Sequence, residues 1–330
     1  MNALLTRLVG PARCVTLHAQ VALPAQVADD AQPPDRCGQA MVAMALGLVL
    51  FEDLLVRVPT AARYVADQNE RGRRVVLDHG AVRTVDWHET GRLPPGAELF
   101  RRLLGPLGYA EVGRYPLERI HMTGRVFTHT ELPEQLPQYF VSELHVAHLA
   151  PEAQDVVTRT VGGSVDPLGD QVLGELAELR ERGWLSPRDA THLVPALASC
   201  FGRHHPDPRL DDYDTLLRHS AEMAWIATEG NAFNHATDRV PDVDALAEEL
   251  RGRWPLKDTV ERSRSGRVRQ TALRADRVTR QFTDGGGRTV PREVPGSFFE
   301  LISRGTLPDG GLDLTFDSGN AQGIFRMTAR

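Results

Sequence analysis

Residues 74–87 read RVVLDHGAVRTVDW, and within them Val75, Leu77, His79, Ala81, Arg83 and Val85 occupy every second position. A period of two puts those side chains on one face of a β-strand. The face is apolar except at His79 and Arg83. Same-face neighbours lie roughly 6.6 Å apart along an extended strand, so these two backbones are about 13 Å apart. An arginine can lean across much of that gap. A small dicarboxylate held at His79 by one end can therefore offer its other carboxylate to Arg83, whose guanidinium grips carboxylates in a two-pronged, charge-assisted pair. A core histidine beside an acid, with an arginine in a surface ion pair, accounts for the same pattern without any chemistry.

Outward from this strand the pattern is mixed. Before it, Phe51, Leu54, Leu55 and Val58 recur at helical spacing and Pro59 interrupts the turn, giving one or two helices. After it, the spacing predicts a helix over residues 96–107, two short strands in 111–129 around a turn at Met122-Thr123-Gly124, and an extension of the sheet in 141–148. Between 167 and 230 the pattern is helical. Val172, Leu173, Leu176 and Leu179 mark one helix, Ser186-Pro187 starts another with an N-cap and a proline at the first helical position, and a third covers 214–228. Strands return in 268–282, 289–303 and 311–325, the first two joined by the turn Asp284-Gly285-Gly286-Gly287. Strands flanking a helical insert make this an α+β chain. Residues 1–40 fit neither period and are expected to form a poorly structured N-terminal extension to one domain over 41–330.

At 330 residues, with 41% hydrophobic and 25% charged residues, the chain has the balance of a folded globular protein. Cys14, Cys37 and Cys200 form an odd set without CxxC spacing, which supports neither a disulfide framework nor a zinc knot. A net charge of −6 argues against a nucleic-acid partner, and the arginine-rich stretch 251–280 reads as a solvated strand face. The apolar run from Met41 to Phe51 ends at Glu52 and Asp53, too soon to cross a bilayer, and no leader pattern surrounds Arg7 and Arg13. A cytoplasmic location is expected. Oligomeric state is not legible.

Twelve histidines make a metal site worth proposing only where histidine meets carboxylate on rigid elements. His235, in NAFNHATDRV at 231–240, follows a glycine helix stop and is either a second nitrogen ligand or a group bonded within a turn. Glu300, in VPGSFFELISRG at 294–305, sits among large apolar residues. A buried carboxylate needs a cation, a shifted pKa or a metal, although a pair with Arg304 or an outward orientation would also serve. Two histidines and one carboxylate leave positions open for iron(II) to take a 2-oxo acid and O2, and the same set could hold zinc with an activated water.

Six blocks carry a resemblance: LDHGAVRTV at 77–85, YPLERIHMTGR at 115–125, THTELPEQLPQYFVSELH at 128–145, NAFNHATDRV, VPGSFFELISRG, and FDSGNAQGIF at 316–325. From about Phe51 onward the chain resembles the 2-oxoadipate dioxygenase/decarboxylase family, in a short form without a large C-terminal insertion. The resemblance implies a fold similar to the vicinal oxygen chelate enzymes, whose βαβββ modules cup a sheet around a metal. It implies His79, His235 and Glu300 as ligands of Fe(II), Arg83 as the substrate arginine, and Ser318 as a further donor to substrate, a turn being the plainer role for that serine. The reaction implied is conversion of 2-oxoadipate and O2 to 2-hydroxyglutarate and carbon dioxide, a step in lysine breakdown. A different 2-oxo acid on the same scaffold, or a zinc hydrolase or isomerase, are the alternatives.

Overall fold

The computed structural model describes residues 1–28 and 33–317. In chain order the elements are α1 (Asn2–Val9), α2 (Pro11–Gln20), β1 (Cys37–Gly38), α3 (Gln39–Arg57), α4 (Pro59–Glu70), β2 (Leu77–Asp86), α5 (Ala97–Leu104), β3 (Tyr109–Leu117), β4 (Met122–His129) and β5 (Gln138–His145). There follow α6 (Pro151–Val161), α7 (Asp170–Arg182), β6 (Trp184–Leu185), α8 (Pro187–Ser199), α9 (Leu210–His219), α10 (Ala221–Glu229), β7 (Phe233–Arg239), α11 (Val243–Leu250), β8 (Glu261–Arg262), β9 (Val268–Leu273), β10 (Arg277–Thr283), β11 (Thr289–Pro295) and β12 (Phe298–Arg304).

Eight strands form one mixed sheet in the order β3-β4-β5-β2-β7-β12-β9-β8. It divides into two βαβββ modules. In the first, β2 is followed by α5, β3, β4 and β5, and β5 returns parallel to β2; in the second, β7 is followed by α11, β8, β9 and β12, and β12 returns parallel to β7. The modules join where β2 and β7 run antiparallel, and the hairpin β10–β11 is inserted before the last strand. This is the cupped, vicinal-oxygen-chelate-like α+β sheet that the resemblance implies.

The core is layered by which face of the sheet a residue leaves. On the convex face Val82, Tyr139, Val141, Phe233, Phe299 and Leu301 pack in one large apolar cluster with α3, α4, α5 and α8. Gly80 permits this packing: a Cβ there would meet the Phe233 ring at 2.3 Å. A second cluster joins Val85, Leu117 and Leu144 to α6, α9, α10 and the hairpin residues Phe282 and Val294. Helix α3, at 19 residues longer than the apolar run read from sequence, is apolar enough to span a membrane by length and composition, yet about two-thirds of it is buried inside the fold.

Several expectations need correcting. Residues 1–20 are two helices, not a loose extension: Met1, Leu4, Leu5, Cys14 and Leu17 are buried. Helices this short take their stability from tertiary burial, which periodicity in so few residues does not reveal. The turn expected at Met122-Thr123-Gly124 lies earlier, at Glu118–Ile120, because His121 takes a left-handed φ of 53°. The helical stretch begins at Pro151, not near 167, and its last expected helix is two, broken at the extended Ser220, whose hydroxyl accepts from Met223 N to cap α10. The strand predicted over 268–282 is interrupted after Leu273, the one over 289–303 is interrupted at Gly296 and Ser297, and the described residues of 311–317 hold no strand. In the arginine-rich stretch, Arg262 and Arg269 pair with Asp244, Arg267 with Asp313, Arg274 with Asp258 and Arg280 with Glu229.

Candidate metal centre

Cross-strand register decides which side chains enter the cup. His79 is paired with Gln138 and Thr237, Ala81 with Phe140 and His235, Arg83 with Ser142, and Glu300 with Thr237 and Ala272. Directly paired residues share a face, so His79, His235 and Glu300 converge there from three adjacent strands. His79 Nε2 lies 3.1 Å from Glu300 Oε2 and 3.3 Å from His235 Nε2, and His235 Nε2 lies 3.5 Å from the same carboxylate oxygen. All three residues are at most 5% exposed.

These separations suit a cation. Donors about 2.1 Å from a metal and about 90–110° apart are separated by roughly 3.0–3.4 Å. Two imidazole nitrogens and a carboxylate aimed at one point otherwise set lone pairs against one another. Glu300 Oε1 is buried with no hydrogen-bond partner among the described residues, so Glu300 has acceptor capacity that a metal would use. The expected alternative for Glu300, a pair with Arg304, does not form; Arg304 bonds Asp78 instead.

The three donors differ electrostatically. Burial pushes the His235 pKa down to about 3, against the pull of Glu300, so its imidazole is neutral and able to ligate. At His79 burial also acts downward, but hydrogen bonds to Asp78 and Glu300 outweigh it and raise the pKa. At Glu300 burial acts upward, and the two histidines with the Thr237 hydroxyl outweigh it and lower the pKa. Thr237 Oγ1 donates to Glu300 Oε2 at 2.9 Å, which fixes that carboxylate.

Behind each histidine stands a residue that the alternation argument missed. Asp78 Oδ1 is 2.8 Å from His79 Nδ1, and Asn234 Oδ1 is 3.1 Å from His235 Nδ1. Both sit where the β2–β7 register slips by one residue, between Leu77 and His79 and between Phe233 and His235. Each is the extra residue of a β-bulge, which lets its side chain reach the following histidine. Strict alternation would have pointed both at the convex face. The signal in the sequence is the doublet of an Asp or Asn directly before each histidine.

A cavity opens in front of the donors. Its polar wall is His79, His235, Glu300, Asn234, Gln270, Ser142 and Asp317, and its apolar wall is Ala81, Phe140 and Phe316. The apolar wall reflects a broken symmetry. Glu300 pairs with the residue two beyond His235, whereas the residue two beyond His79 pairs with Phe140, so the first module supplies a phenyl ring where the second supplies a carboxylate. Phe316 stands edge-on to the His79 ring at 4.9 Å and 5.0 Å from Phe140. Arg83 is 1% exposed and lies on the same face, with its guanidinium 4.9 Å from the Trp225 ring of α10. It is not itself among the cavity's lining residues; its cross-strand partner Ser142 is. Burial lowers its pKa to about 10, so it is charged at neutral pH. Ser318 lies outside the described residues.

Residues 51–314 match the model of the family described as 2-oxoadipate dioxygenase/decarboxylase. The chain belongs to that family. Among solved structures it is 48% identical to a protein of Ralstonia eutropha JMP134 described only as glyoxalase superfamily, over 96% of this chain and 98% of that one, with a TM-score of 0.92. A hydroxyglutarate synthase from Oryza sativa, solved in complex with 2-oxoadipate, matches over 94% of this chain and 96% of that one with a TM-score of 0.68; at 21% identity that likeness concerns the fold. The 2-oxoadipate dioxygenase/decarboxylase of Arabidopsis thaliana is 24% identical in an alignment of 220 positions that covers 58% of this chain and 51% of that one. The chain thus spans about half the length of that family member.

Proposed function

We propose that this family member is an iron(II)-dependent oxygenase that converts 2-oxoadipate and O2 to 2-hydroxyglutarate and carbon dioxide. The observation that carries the reading is the convergence of two imidazoles and one carboxylate within 3.5 Å of one another, facing a cavity. Bound iron(II) would chelate the 2-oxo acid head and activate O2, which is the chemistry a two-histidine, one-carboxylate set supports with its remaining positions. The reaction balances without another reductant, because the substrate's own decarboxylation supplies the electrons.

The protein's part is positioning. His79, His235 and Glu300 hold one side of the metal, while Asp78 and Asn234 keep both Nε2 atoms turned inward. Arg83, two same-face positions beyond His79, would anchor the far carboxylate of the substrate and keep the shortened remnant from leaving before its hydroxylation. Phe140 and Phe316 would keep water from the reacting carbon.

The test is anaerobic reconstitution with iron(II) followed by O2 uptake with a panel of 2-oxo acids, for the wild type and His79→Ala. Uptake with 2-oxoadipate and stoichiometric 2-hydroxyglutarate supports the reading. Uptake only with another 2-oxo acid replaces the substrate, turnover by zinc-loaded protein without O2 replaces the class, and uptake surviving His79→Ala removes the site.

A further inference from the structure

The two histidines of the centre are held from behind by unlike residues. Asp78 is saturated: besides His79, it receives two hydrogen bonds from Arg304. Asn234 is not. A histidine that offers Nε2 to a metal carries its proton on Nδ1, so the amide of Asn234 must present its oxygen there, as the 3.1 Å contact has it. The amide nitrogen is thereby turned the other way. It is buried, on a residue 3% exposed, and has no hydrogen-bond partner among the described residues, while the side chain lines the cavity beside His79, His235 and Glu300.

A buried amide donor left unmade costs about 1–3 kcal/mol. The backbone here is built to place it so, since Asn234 is the extra residue of the bulge between Phe233 and His235. The other cavity groups explain what it faces. Glu300 and the two histidines would be taken by a metal, Phe140 and Phe316 offer no acceptor, and the oxygens of Gln270, Ser142 and Asp317, which also line the cavity, make no hydrogen bond to this nitrogen. An oxygen of an acid bound at the centre would supply the missing partner.

We infer that Asn234 is a substrate-binding residue, whose Nδ2–H donates to an oxygen of an acid chelated at the metal centre while its Oδ1 fixes His235. The inference rests on the proposed function for the metal and the acid class, not for the identity of the acid. It assigns one side chain two tasks, holding a ligand and reading the oxygen beside it, and it explains why the neutral amide stands here when the corresponding position before His79 is a carboxylate. An Asp at 234 would keep the first task and oppose the second.

The experiment uses the full chain loaded with zinc(II), with oxalate as a minimal chelating acid and 2-oxoadipate as the proposed substrate, in wild type, Asn234→Asp and Asn234→Leu. Calorimetry reads both acids, chelator competition reads the metal, and the ¹⁵N side-chain amide resonance, assigned by its loss in Asn234→Asp, reads the donor. The expected result is a downfield shift of that amide on adding oxalate. Asn234→Asp should keep its zinc while oxalate affinity falls roughly 10- to 100-fold, the effect of one lost donor, and Asn234→Leu should lose affinity for both zinc and oxalate. An unmoved amide resonance, or unchanged oxalate affinity in Asn234→Asp, overturns the inference. A wild type that binds oxalate but not 2-oxoadipate leaves the Asn234 comparison decisive and overturns only the substrate. A zinc-loaded wild type that binds neither acid overturns both.

Discussion

Arg304 donates from Nε and Nη2 to the two oxygens of Asp78, each at 2.8 Å, with side chains 0% and 1% exposed. The guanidinium also donates to the carbonyls of Asp313 and Thr315 and lies 5.2 Å from the Phe316 ring. One buried arginine therefore connects the carboxylate that orients His79 with the segment whose phenylalanine covers the cavity.

Removing the carboxylate from that connection has a calculable direction. Asp78→Ala leaves Arg304 charged, buried and unpaired, which costs about 3–5 kcal/mol, and releases His79 Nδ1, which lowers metal affinity about 10- to 100-fold. Urea unfolding of the metal-free protein reads the first and chelator competition reads the second. A variant as stable as the wild type would show that Asp78 and Arg304 are not coupled in solution.

On the proposed function, Arg83 would separate substrate holding from metal holding. Because it stands two same-face positions from His79 with its guanidinium against Trp225, Arg83→Met should change zinc and iron affinity far less than substrate affinity. Losing one charge-assisted carboxylate pair, worth about 3 kcal/mol, should raise KM for a dicarboxylic 2-oxo acid on the order of 100-fold. A monocarboxylic 2-oxo acid should respond little. Equal losses for both acids in steady-state O2 uptake would take Arg83 out of the role of anchor.

Residues 1–20 offer a test of packing. Leu5 is fully buried in the main core, so Leu5→Ala should cost about 2–5 kcal/mol, as for other core truncations. Exposed Val15 on the next helix is the control, and its alanine variant should fall within about 0.5 kcal/mol of wild type. Comparable denaturation midpoints for the two variants would mean that α1 is not part of the cooperative unit.

What was legible in the sequence follows from what period and residue type can encode. Alternation placed the central strand and the cup-facing His79, Ala81 and Arg83, but Val75 and Leu77, read on the same face, lie before the bulge at Asp78 and pack in the convex-face cluster; Glu300 was singled out because a carboxylate between Phe299 and Leu301 has to be compensated. The bulges at Asp78 and Asn234 were not legible, because one inserted residue changes the face of a side chain without changing composition. The Arg304–Asp78 pair spans 226 positions and only the closed sheet brings it together. Helices α9 and α10 read as one because Ser220 interrupts the backbone without interrupting the apolar pattern on either side.

Asp238 provides a pH test away from His79, His235 and Glu300. It sits on the strand that carries His235, accepts from Tyr64 Oη and Val76 N at 2.9 Å each, and is 4% exposed. Burial raises its pKa from 3.8 to about 6 even though both hydrogen bonds and Arg239 pull it down. The folded state thus holds the proton more tightly than the unfolded state does. Below about pH 4 the group is neutral in both states and its contribution is fully present; as pH rises through about 6 the folded-state carboxyl ionises and that contribution is lost. The difference amounts to about 3 kcal/mol. Asp238→Asn keeps an acceptor for Val76 N and gains a donor for Tyr64, but has no proton to lose. Wild-type unfolding free energy should therefore fall by about 3 kcal/mol relative to Asp238→Asn between pH 4 and 7, while groups common to both proteins cancel. Parallel stability curves across that range would mean that Asp238 ionises in the fold as readily as in water, and that its burial beneath Tyr64 is not maintained in solution.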